Sequence, residues 1–245
     1  MKKLKSLKLF LLLTIMLPLS ACSQDSKHVL KIKKDHYYQL IKMSLKPGVD
    51  NKAKLDDYFM KIGEVIMASG AKVHSFAVTK ASVGDGPAQM FLIGEYPDKE
   101  APKKIFESEA FFKNRNQRDH ALSYLSEGFF MATADGEFDL SQGGLRLYSL
   151  WTKKGKEEQL NSYFNTIMPY SMETGAVPAP FVFVPDPSIQ RQSNDASMIF
   201  LGSWSEEGEK KFYGSKLFKE NVAKRDDALN FLEEYEIMYI PEQAQ

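Results

Sequence analysis

The sequence predicts an α+β protein in which one βαββαβ unit occurs twice in tandem. Residues 108–131 recur without a gap as residues 215–238, 107 positions further along the chain. Residues 90–96 likewise recur as residues 198–204. Repetition over this length indicates duplication of a structural unit. The matched pairs in the longer stretch include Ser108 with Ser215, Phe111 with Phe218, Arg118-Asp119 with Arg225-Asp226, and Ala121-Leu122 with Ala228-Leu229.

The first unit, residues 37–134, reads as four strands and three helical segments. Alternating, β-rich stretches predict strands at residues 37–45, 73–79, 89–96 and 129–133. Apolar spacing on one helical face predicts helices at residues 53–69, 99–107 and 109–126. Gly70 is placed to close the first helix in the left-handed conformation, and Ser108 to cap the last one. A turn is expected at residues 84–87.

The second unit, residues 145–241, repeats this plan. We expect strands at residues 145–151, 181–184, 198–204 and 236–240, and helices at residues 157–173 and 210–232. Pro169 should interrupt or kink the first of these helices, because proline removes a backbone donor. Residues 134–144 are predicted to be a linker, and residues 185–196 a long polar loop.

A four-stranded sheet with helices on one side leaves its other face bare, and a second copy in the same chain can cover it. Each unit is similar to the ferredoxin-like halves of the dimeric α/β-barrel superfamily. The units resemble the small DUF1330 type most, on the motif formed by Phe106, Ser108, Arg118 and Ala121 and, in the second copy, Tyr213, Ser215, Arg225 and Ala228. The resemblance implies an intrachain pseudo-dimer, so we expect a monomer.

The N-terminus has the pattern of a targeting segment. Four lysines precede a short apolar run, and Leu19-Ser20-Ala21-Cys22 follows it. This resembles a bacterial lipoprotein signal, the alternative being an ordinary secretory signal. The resemblance implies removal of residues 1–21, lipid attachment at Cys22 and a palmitate-bearing anchor in the bilayer. Ser23 is typical of delivery to the outer membrane, facing the periplasm. Residues 22–36 are then expected to be a flexible polar tether.

Charge and cysteine content exclude some classes of binding partner and of chemistry. Cleavage would remove four lysines and no acid, which changes a balance of 32 basic and 32 acidic residues to a net charge of −4. A mildly acidic chain is not expected to bind nucleic acid. Cys22 is the single cysteine, so the folded part has neither a disulfide nor a cysteine nucleophile.

Polar residues present in only one copy are the candidate site. Lys42 and Ser44 in the first unit correspond to Ser149 and Trp151 in the second, and Glu95 corresponds to Ser203. Strand alternation places the first four on the face between the two sheets. With His74 they give a candidate ligand-binding set of Lys42, His74, Glu95 and Trp151. Tyr96 or Trp204 could add aromatic walls. The alternative is that these residues only fill the barrel and that His74 is a hydrogen-bonded core histidine.

The repeated pairs Arg118-Asp119 and Arg225-Asp226 favour a scaffold role, in which each arginine fastens a helix to its own unit, over binding of a carboxylate. No nucleotide-binding, hydrolase or metal-ligand spacing occurs, so neither a cofactor nor a metal is expected. The functional hypotheses are a binding lipoprotein for a small organic ligand or protein partner, a cofactor-independent oxygenase or isomerase acting on a small aromatic or carbonyl compound, and a structural envelope module. Contact among Lys42, His74 and Glu95 in a deep cavity would favour the enzyme.

Overall fold

The computed structural model describes residues 29–83, 88–186 and 195–239, except for the side chains of Ser75, Phe76 and residues 80–83. The predicted signal, Cys22, the turn at residues 84–87 and most of the predicted loop at residues 185–196 lie outside this part. The strands are β1 (Val29–Ile32), β2 (Tyr37–Leu45), β3 (Lys72–Val83), β4 (Met90–Tyr96), β5 (Leu122–Ala132), β6 (Gly136–Asp139), β7 (Leu145–Thr152), β8 (Val177–Pro178), β9 (Phe183–Pro185), β10 (Met198–Ser203) and β11 (Leu229–Tyr239). The helices are α1 (Val49–Ala68), α2 (Glu100–Phe106), α3 (Glu109–Ala121), α4 (Glu157–Glu173), α5 (Glu206–Gly214) and α6 (Lys216–Ala228).

Eight strands close into a barrel, in the order β7-β11-β3-β4-β2-β5-β9-β10 and back to β7, with β8 also paired to β10. The first unit contributes β3-β4-β2-β5 and the second contributes β9-β10-β7-β11, which is the ferredoxin-like strand order in each case. The units join where β11 pairs with β3 and β5 pairs with β9. The expected intrachain dimeric α/β barrel is therefore the fold of this chain.

The pseudo-symmetry axis runs along the barrel. Every neighbouring pair of barrel strands is antiparallel. Because β2 and β7 are four steps apart around the ring, these first strands of the two units run in the same direction. Equivalent residues of the two units consequently lie in the same layer of the barrel, on opposite walls.

Alternation along the strands separates the barrel interior from the helix side, as predicted. Leu40 and Leu147 belong to the interior core, whereas Met43 packs against α1 and Leu150 packs against α4. Lys42, Ser44 and Ser149 are buried and share the interior face with the leucines of their own strands. The two units thus use one shared core inside the barrel and separate cores beneath their helices.

The boundary between helix and strand in the long repeat differs from the prediction. Helix α3 ends at Ala121, and extended backbone begins at Leu122. The predicted helix at residues 109–126 is therefore too long, and the strand begins at residue 122 rather than 129. The second copy behaves alike, since α6 ends at Ala228 and β11 starts at Leu229. Helix α4 continues through Pro169, so the predicted interruption is wrong.

The segments predicted to be a tether and a linker form a structured pair. β1 pairs antiparallel with β6 in a two-stranded sheet. Leu30 and Ile32 are only 1% and 3% exposed, and they join Phe138 and Leu140 in the interior core. The flexible-tether prediction is thus wrong from residue 29 onward, because this apolar alternation covers the end of the barrel at Tyr38.

Candidate functional site

The interior polar residues form two clusters at opposite ends of an apolar barrel core. In the pairing of β2 with β4, Tyr38 faces Glu95 and Lys42 faces Phe91. Four residues along a strand span about 13 Å. Lys42 and Trp151 therefore lie at one end, called the Lys42 end, and His74 and Glu95 lie at the other, called the Glu95 end. The predicted four-residue site is divided into two pairs.

At the Lys42 end, a salt bridge crosses the barrel between the units. The Lys42 ammonium donates to the Glu233 carboxylate of β11, and both side chains are almost completely buried. The Lys42 Nζ lies 5.1 Å from the centre of the Trp151 ring. A cation over an indole face is attracted to it. Lys42 is thus held by an acid on one side and an aromatic ring on another.

Two buried hydroxyl groups lie beside this ion pair. Ser149 is opposite Glu233 in the pairing of β11 with β7. The Tyr235 hydroxyl lies next to Glu233. Both residues are 0% exposed. Within the described residues the Ser149 hydroxyl has no hydrogen-bond partner, and the Tyr235 hydroxyl interacts with Glu233 and the Ala88 backbone without a hydrogen bond of normal geometry. Buried polar atoms without partners are rare in folded proteins, and each one calls for an explanation.

Partly exposed aromatic side chains lie one layer further out. The Trp151 and Phe231 rings are 5.1 Å apart between centroids. Tyr124, the counterpart of Phe231, packs against the interior core in the same layer. Asp195 is half-buried and close enough to Lys42 to be affected by its charge. Burial raises the pKa of the Tyr124 hydroxyl, and the charge of Glu233 adds to that effect. These residues, Tyr124, Trp151, Asp195 and Phe231, are called the collar, and they lie between Lys42 and the outside.

Burial also shifts the pKa values of the charged groups at the Lys42 end. Desolvation lowers the pKa of the Lys42 amine, and the negative charge of Glu233 opposes that change without cancelling it. Burial raises the pKa of Asp195, while the charge of Lys42 acts in the other direction. An amine with a lowered pKa and an adjacent carboxylate can exchange a proton, which is the requirement for acid–base chemistry.

At the Glu95 end, one buried carboxylate receives two imidazoles. His36 Nδ1 contacts one oxygen of Glu95 and His74 Nε2 contacts the other. Burial alone would raise the pKa of Glu95, but the hydrogen bonds and charges of His74 and then His36 outweigh it and lower the pKa to about 2. The Tyr38 ring lies 6.5 Å from the His74 ring. Its hydroxyl accepts from the Lys33 backbone N–H at 2.7 Å, which ties the entering chain to this end.

Between the two ends the barrel is filled by apolar side chains. A cavity in this middle section has about 20 Å³ of free volume, room for about one water molecule. Small organic ligands need roughly 300 Å³ or more. The lining is apolar, from Leu40, Ala77, Phe91, Ile93, Leu140, Leu145, Leu147, Leu201, Ile237 and Tyr239. The middle section therefore has no room for a small organic ligand.

One expectation about the site is wrong. Tyr96 packs under the helices of the first unit and Trp204 under those of the second, so neither forms a wall of the interior. Lys42 lies at the other end of the barrel from His74 and Glu95, so the contact that would favour the enzyme is not formed. The missed residues are Glu233, Tyr235 and His36. Glu233 and Tyr235 could have been identified from strand alternation, because they alternate with outward-facing residues between Phe231 and Ile237. The predicted helix, which extended into this strand, concealed that pattern.

The repeated arginines serve their own units, as the scaffold interpretation predicts. Arg118 donates to Glu127 on β5 at 2.7 Å and lies over the Tyr58 ring of α1. Arg225 donates to Asp226 at 2.9 Å and lies over the Phe218 ring. Both are on the helix side and neither points into the barrel.

The described residues bring no three His, Cys, Asp or Glu side chains into an arrangement that could hold a metal ion. His36 and His74 approach opposite oxygens of Glu95 rather than one common point. Within the same residues, no helix has both the length and the apolarity that a bilayer crossing requires.

Comparison with solved structures identifies the fold. An anthrone oxidase-like protein aligns with 88% of this chain and 97% of its own, at a TM-score of 0.56 and 10% identity. A proposed monooxygenase from Lactobacillus acidophilus covers 86% and 98% at a TM-score of 0.44 and 9% identity. A mutant chlorite dismutase from Candidatus Nitrospira defluvii covers 86% and 92% at 0.45 and 9%. No family model and no curated protein matches the sequence. The class of protein is thus the dimeric α/β barrel, with both halves on one chain.

Proposed function

We propose that this chain binds a small planar organic compound at the Lys42 end of the barrel. The observation that carries the proposal is the buried Lys42–Glu233 ion pair with the Ser149 hydroxyl beside it, which has no hydrogen-bond partner among the described residues. A ligand with a polar oxygen would supply that partner. The collar of aromatic rings suits a planar ligand, since aromatic side chains stack on flat apolar surfaces.

The energetic cost of this cluster supports a functional role. A buried ion pair is often no more stabilising than apolar residues of the same volume. An unpaired buried hydroxyl also costs free energy. Each charged residue has an uncharged counterpart in the other unit, because Lys42 corresponds to Ser149 and Glu233 to Ser126. Ion pairing could instead serve only to fix the register of the two units.

Binding can be measured through Trp151. The chain has two tryptophans, so Trp204→Phe leaves Trp151 as the sole indole reporter next to the site. We expect quenching of its fluorescence by some members of a panel of small phenols and aromatic acids, with loss of that quenching in Lys42→Met. The matched control is Glu95→Gln, which alters the other end of the barrel and should leave binding unchanged. Quenching that persists in Lys42→Met would contradict the proposed site.

The second candidate is a cofactor-independent oxygenase or isomerase acting on an aromatic or carbonyl compound. The contact between the Lys42 amine and Glu233 favours it, because such a pair can remove and return a proton. Incubation of a bound compound with the protein, followed by mass spectrometry of the small molecule, separates the two functions. A changed mass or isomer indicates an enzyme, and unchanged ligand indicates a binding protein.

The same proposal places the mature chain on a membrane through lipid on Cys22, in the bacterial envelope and facing the periplasm. Support comes from the N-terminal pattern of lysines, apolar run and Leu19-Ser20-Ala21-Cys22. In a bacterial host fed alkyne-palmitate, we expect wild type to incorporate the label and Cys22→Ser to lose it. Equal labelling of both proteins would contradict the anchor.

A further inference from the structure

The Lys42 amine differs from an exposed lysine in three respects that together bear on its chemistry. It is buried, its hydrogen-bond partner is a carboxylate, and it lies beneath the aromatic rings of the collar. We infer that Lys42 forms a reversible imine with an aldehyde or ketone group of its ligand. This inference rests on the proposed function and narrows the ligand class to aromatic carbonyl compounds.

The environment favours a nucleophilic amine. Only the neutral form of an amine attacks a carbonyl carbon, and a lysine becomes more nucleophilic when its charge is poorly solvated. Burial lowers the pKa of Lys42, with Glu233 opposing. Glu233 is also the group to which the ammonium proton can pass, because it already accepts that hydrogen bond.

The reaction can be written with its atoms and charges balanced. The Lys42 ammonium gives one proton to Glu233, and the nitrogen lone pair then forms a C–N bond as the carbonyl π bond breaks. The carbonyl oxygen takes up the proton released from nitrogen, which gives a carbinolamine. Glu233 returns its proton to that hydroxyl, which leaves as water while the C=N bond forms. Neither the ligand nor the protein is oxidised or reduced.

The two buried hydroxyls of Ser149 and Tyr235 have a place in this step. A carbinolamine carries a hydroxyl and an amine, so it needs more hydrogen-bond partners than the free lysine. Ser149 lies opposite Glu233 and has no hydrogen-bond partner among the described residues, and the Tyr235 hydroxyl lies next to Glu233. Burial raises the pKa of the Tyr235 hydroxyl, so it remains a donor at neutral pH. Both hydroxyls would bind the tetrahedral intermediate.

The test is reductive trapping on the full mature chain. The protein is mixed with 4-hydroxybenzaldehyde and sodium cyanoborohydride, and the modified lysines are located by peptide mass spectrometry. At pH 7 we expect Lys42 to be labelled at least tenfold faster than Lys103, whose side chain is 59% exposed. That ratio should fall toward one as the pH approaches 10, because the exposed lysine then becomes neutral as well. Lys42→Arg keeps the positive charge but has no amine that can form an imine, so the fast labelling at this position should disappear.

Failure of the imine and failure of the binding site are distinguishable. The alcohol 4-hydroxybenzyl alcohol has the same ring and no carbonyl group, and its binding is followed by Trp151 fluorescence. If the alcohol binds while Lys42 reacts no faster than Lys103 at any pH, the imine is overturned and the proposed binding site stands. If the alcohol does not bind and Lys42 is not labelled, both are overturned. Fast labelling confined to Lys42 supports both.

Discussion

On the helix side of the sheet, the two units carry matching polar contacts. In the first unit Arg118 pairs with Glu127, which also accepts from Gln39 at 2.8 Å. In the second unit Arg225 lies near Glu234, and that carboxylate is 3.6 Å from Arg146. Tyr58 and Tyr163 occupy equivalent positions beside the two arginines. Each unit thus holds its own last strand against its own helices.

Inside the barrel the two units differ at nearly every polar position. The first unit has Lys42, His74 and Glu95 where the second has Ser149, Ala179 and Ser203, and the second unit has Glu233 where the first has Ser126. Because equivalent positions share a layer on opposite walls, Lys42 meets Glu233 across the barrel rather than a copy of itself. The charges of Lys42 and Glu233 are therefore complementary between the units, whereas Glu95 and His74 pair within the first unit and the helix-side charges are complementary within each unit.

The difference separates residues that a half-barrel needs from residues that the whole barrel uses. A contact required to build one unit must occur twice, and the helix-side arginines do. A contact required once, for joining the units or for a site, occurs in one asymmetric set. Substitutions at paired positions in the two copies can test this division directly.

The largest effect is expected at the interior ion pair. Lys42→Met leaves the Glu233 carboxylate buried without its partner, so we expect the free energy of unfolding to fall by about 3–5 kcal/mol. Urea denaturation followed by circular dichroism measures it. The double variant Lys42→Met with Glu233→Leu should return to within about 2 kcal/mol of wild type, because it removes both charges.

The matched control is the counterpart of Lys42 on the opposite wall. Ser149→Ala removes a buried hydroxyl that has no partner in the described part of the chain, so it should change the free energy of unfolding by less than about 1 kcal/mol. Equal losses for Lys42→Met and Ser149→Ala would show that the layer is sensitive to any change and would remove the asymmetry on which the comparison rests.

Glu95 should give the next largest effect, and one that depends on pH. Its pKa in the folded chain is about 2, below the ordinary value of 4.5. The ionised carboxylate therefore contributes stability that is fully present above pH 4.5 and is lost as the pH falls through 2. Glu95→Gln should cost about 3 kcal/mol at pH 6 and almost nothing relative to wild type near pH 2.

Ser203, the counterpart of Glu95, provides the comparison. Its hydroxyl donates to Gln142 Oε1 at 2.5 Å, and neither group titrates. Ser203→Ala should cost about 1 kcal/mol, with no change between pH 6 and pH 2. A difference between Glu95→Gln and wild type that stays constant over this range would contradict the assignment of the lowered pKa to the two histidines.

Much of the fold could be predicted because the internal repeat shows that the chain contains two copies of one unit. Strand alternation also placed Lys42, Ser149 and Trp151 inside the barrel correctly, since side-chain direction along a strand is a local property. The end of α3 could not be found this way, because Leu122 and Leu125 fit both a helical face and an alternating strand. That error concealed Glu233, whose predicted position fell next to a helix that was too long.

The N-terminal strand β1 could not be predicted from the sequence for a different reason. Leu30 and Ile32 stand among lysines, and nothing local reveals that the barrel end needs covering. Their burial depends on Phe138 and Leu140, more than a hundred residues away. Assigning residues 22–36 to a tether therefore also hid His36, which completes the contact with Glu95.

The helix-side arginines should give smaller and similar effects in the two units. Arg118→Ala removes a charged hydrogen bond to partly buried Glu127, and we expect a loss of about 2 kcal/mol in the free energy of unfolding. Arg225→Ala should lose about 1 kcal/mol, because its direct partner Asp226 is exposed. If one substitution were neutral while the other unfolded the chain, the contacts would not be equivalent scaffold elements, and a binding role for the sensitive arginine would have to be considered.

The two helix caps should give the smallest effects and the most equal ones. Ser108 accepts from the Phe111 backbone N–H and Ser215 accepts from that of Phe218, both at 3.1 Å. Replacing either by alanine leaves that N–H without its cap, at a cost of about 1 kcal/mol, whereas glycine costs only a few tenths. We expect Ser108→Ala and Ser215→Ala to agree within about 0.5 kcal/mol in urea denaturation. Each cap begins the helix that leads into a strand joining the two units, β5 or β11. If the two substitutions lowered the free energy of unfolding by clearly different amounts, the two junctions between the units would differ in strength. The helix sides would then be equivalent in geometry but not in energy.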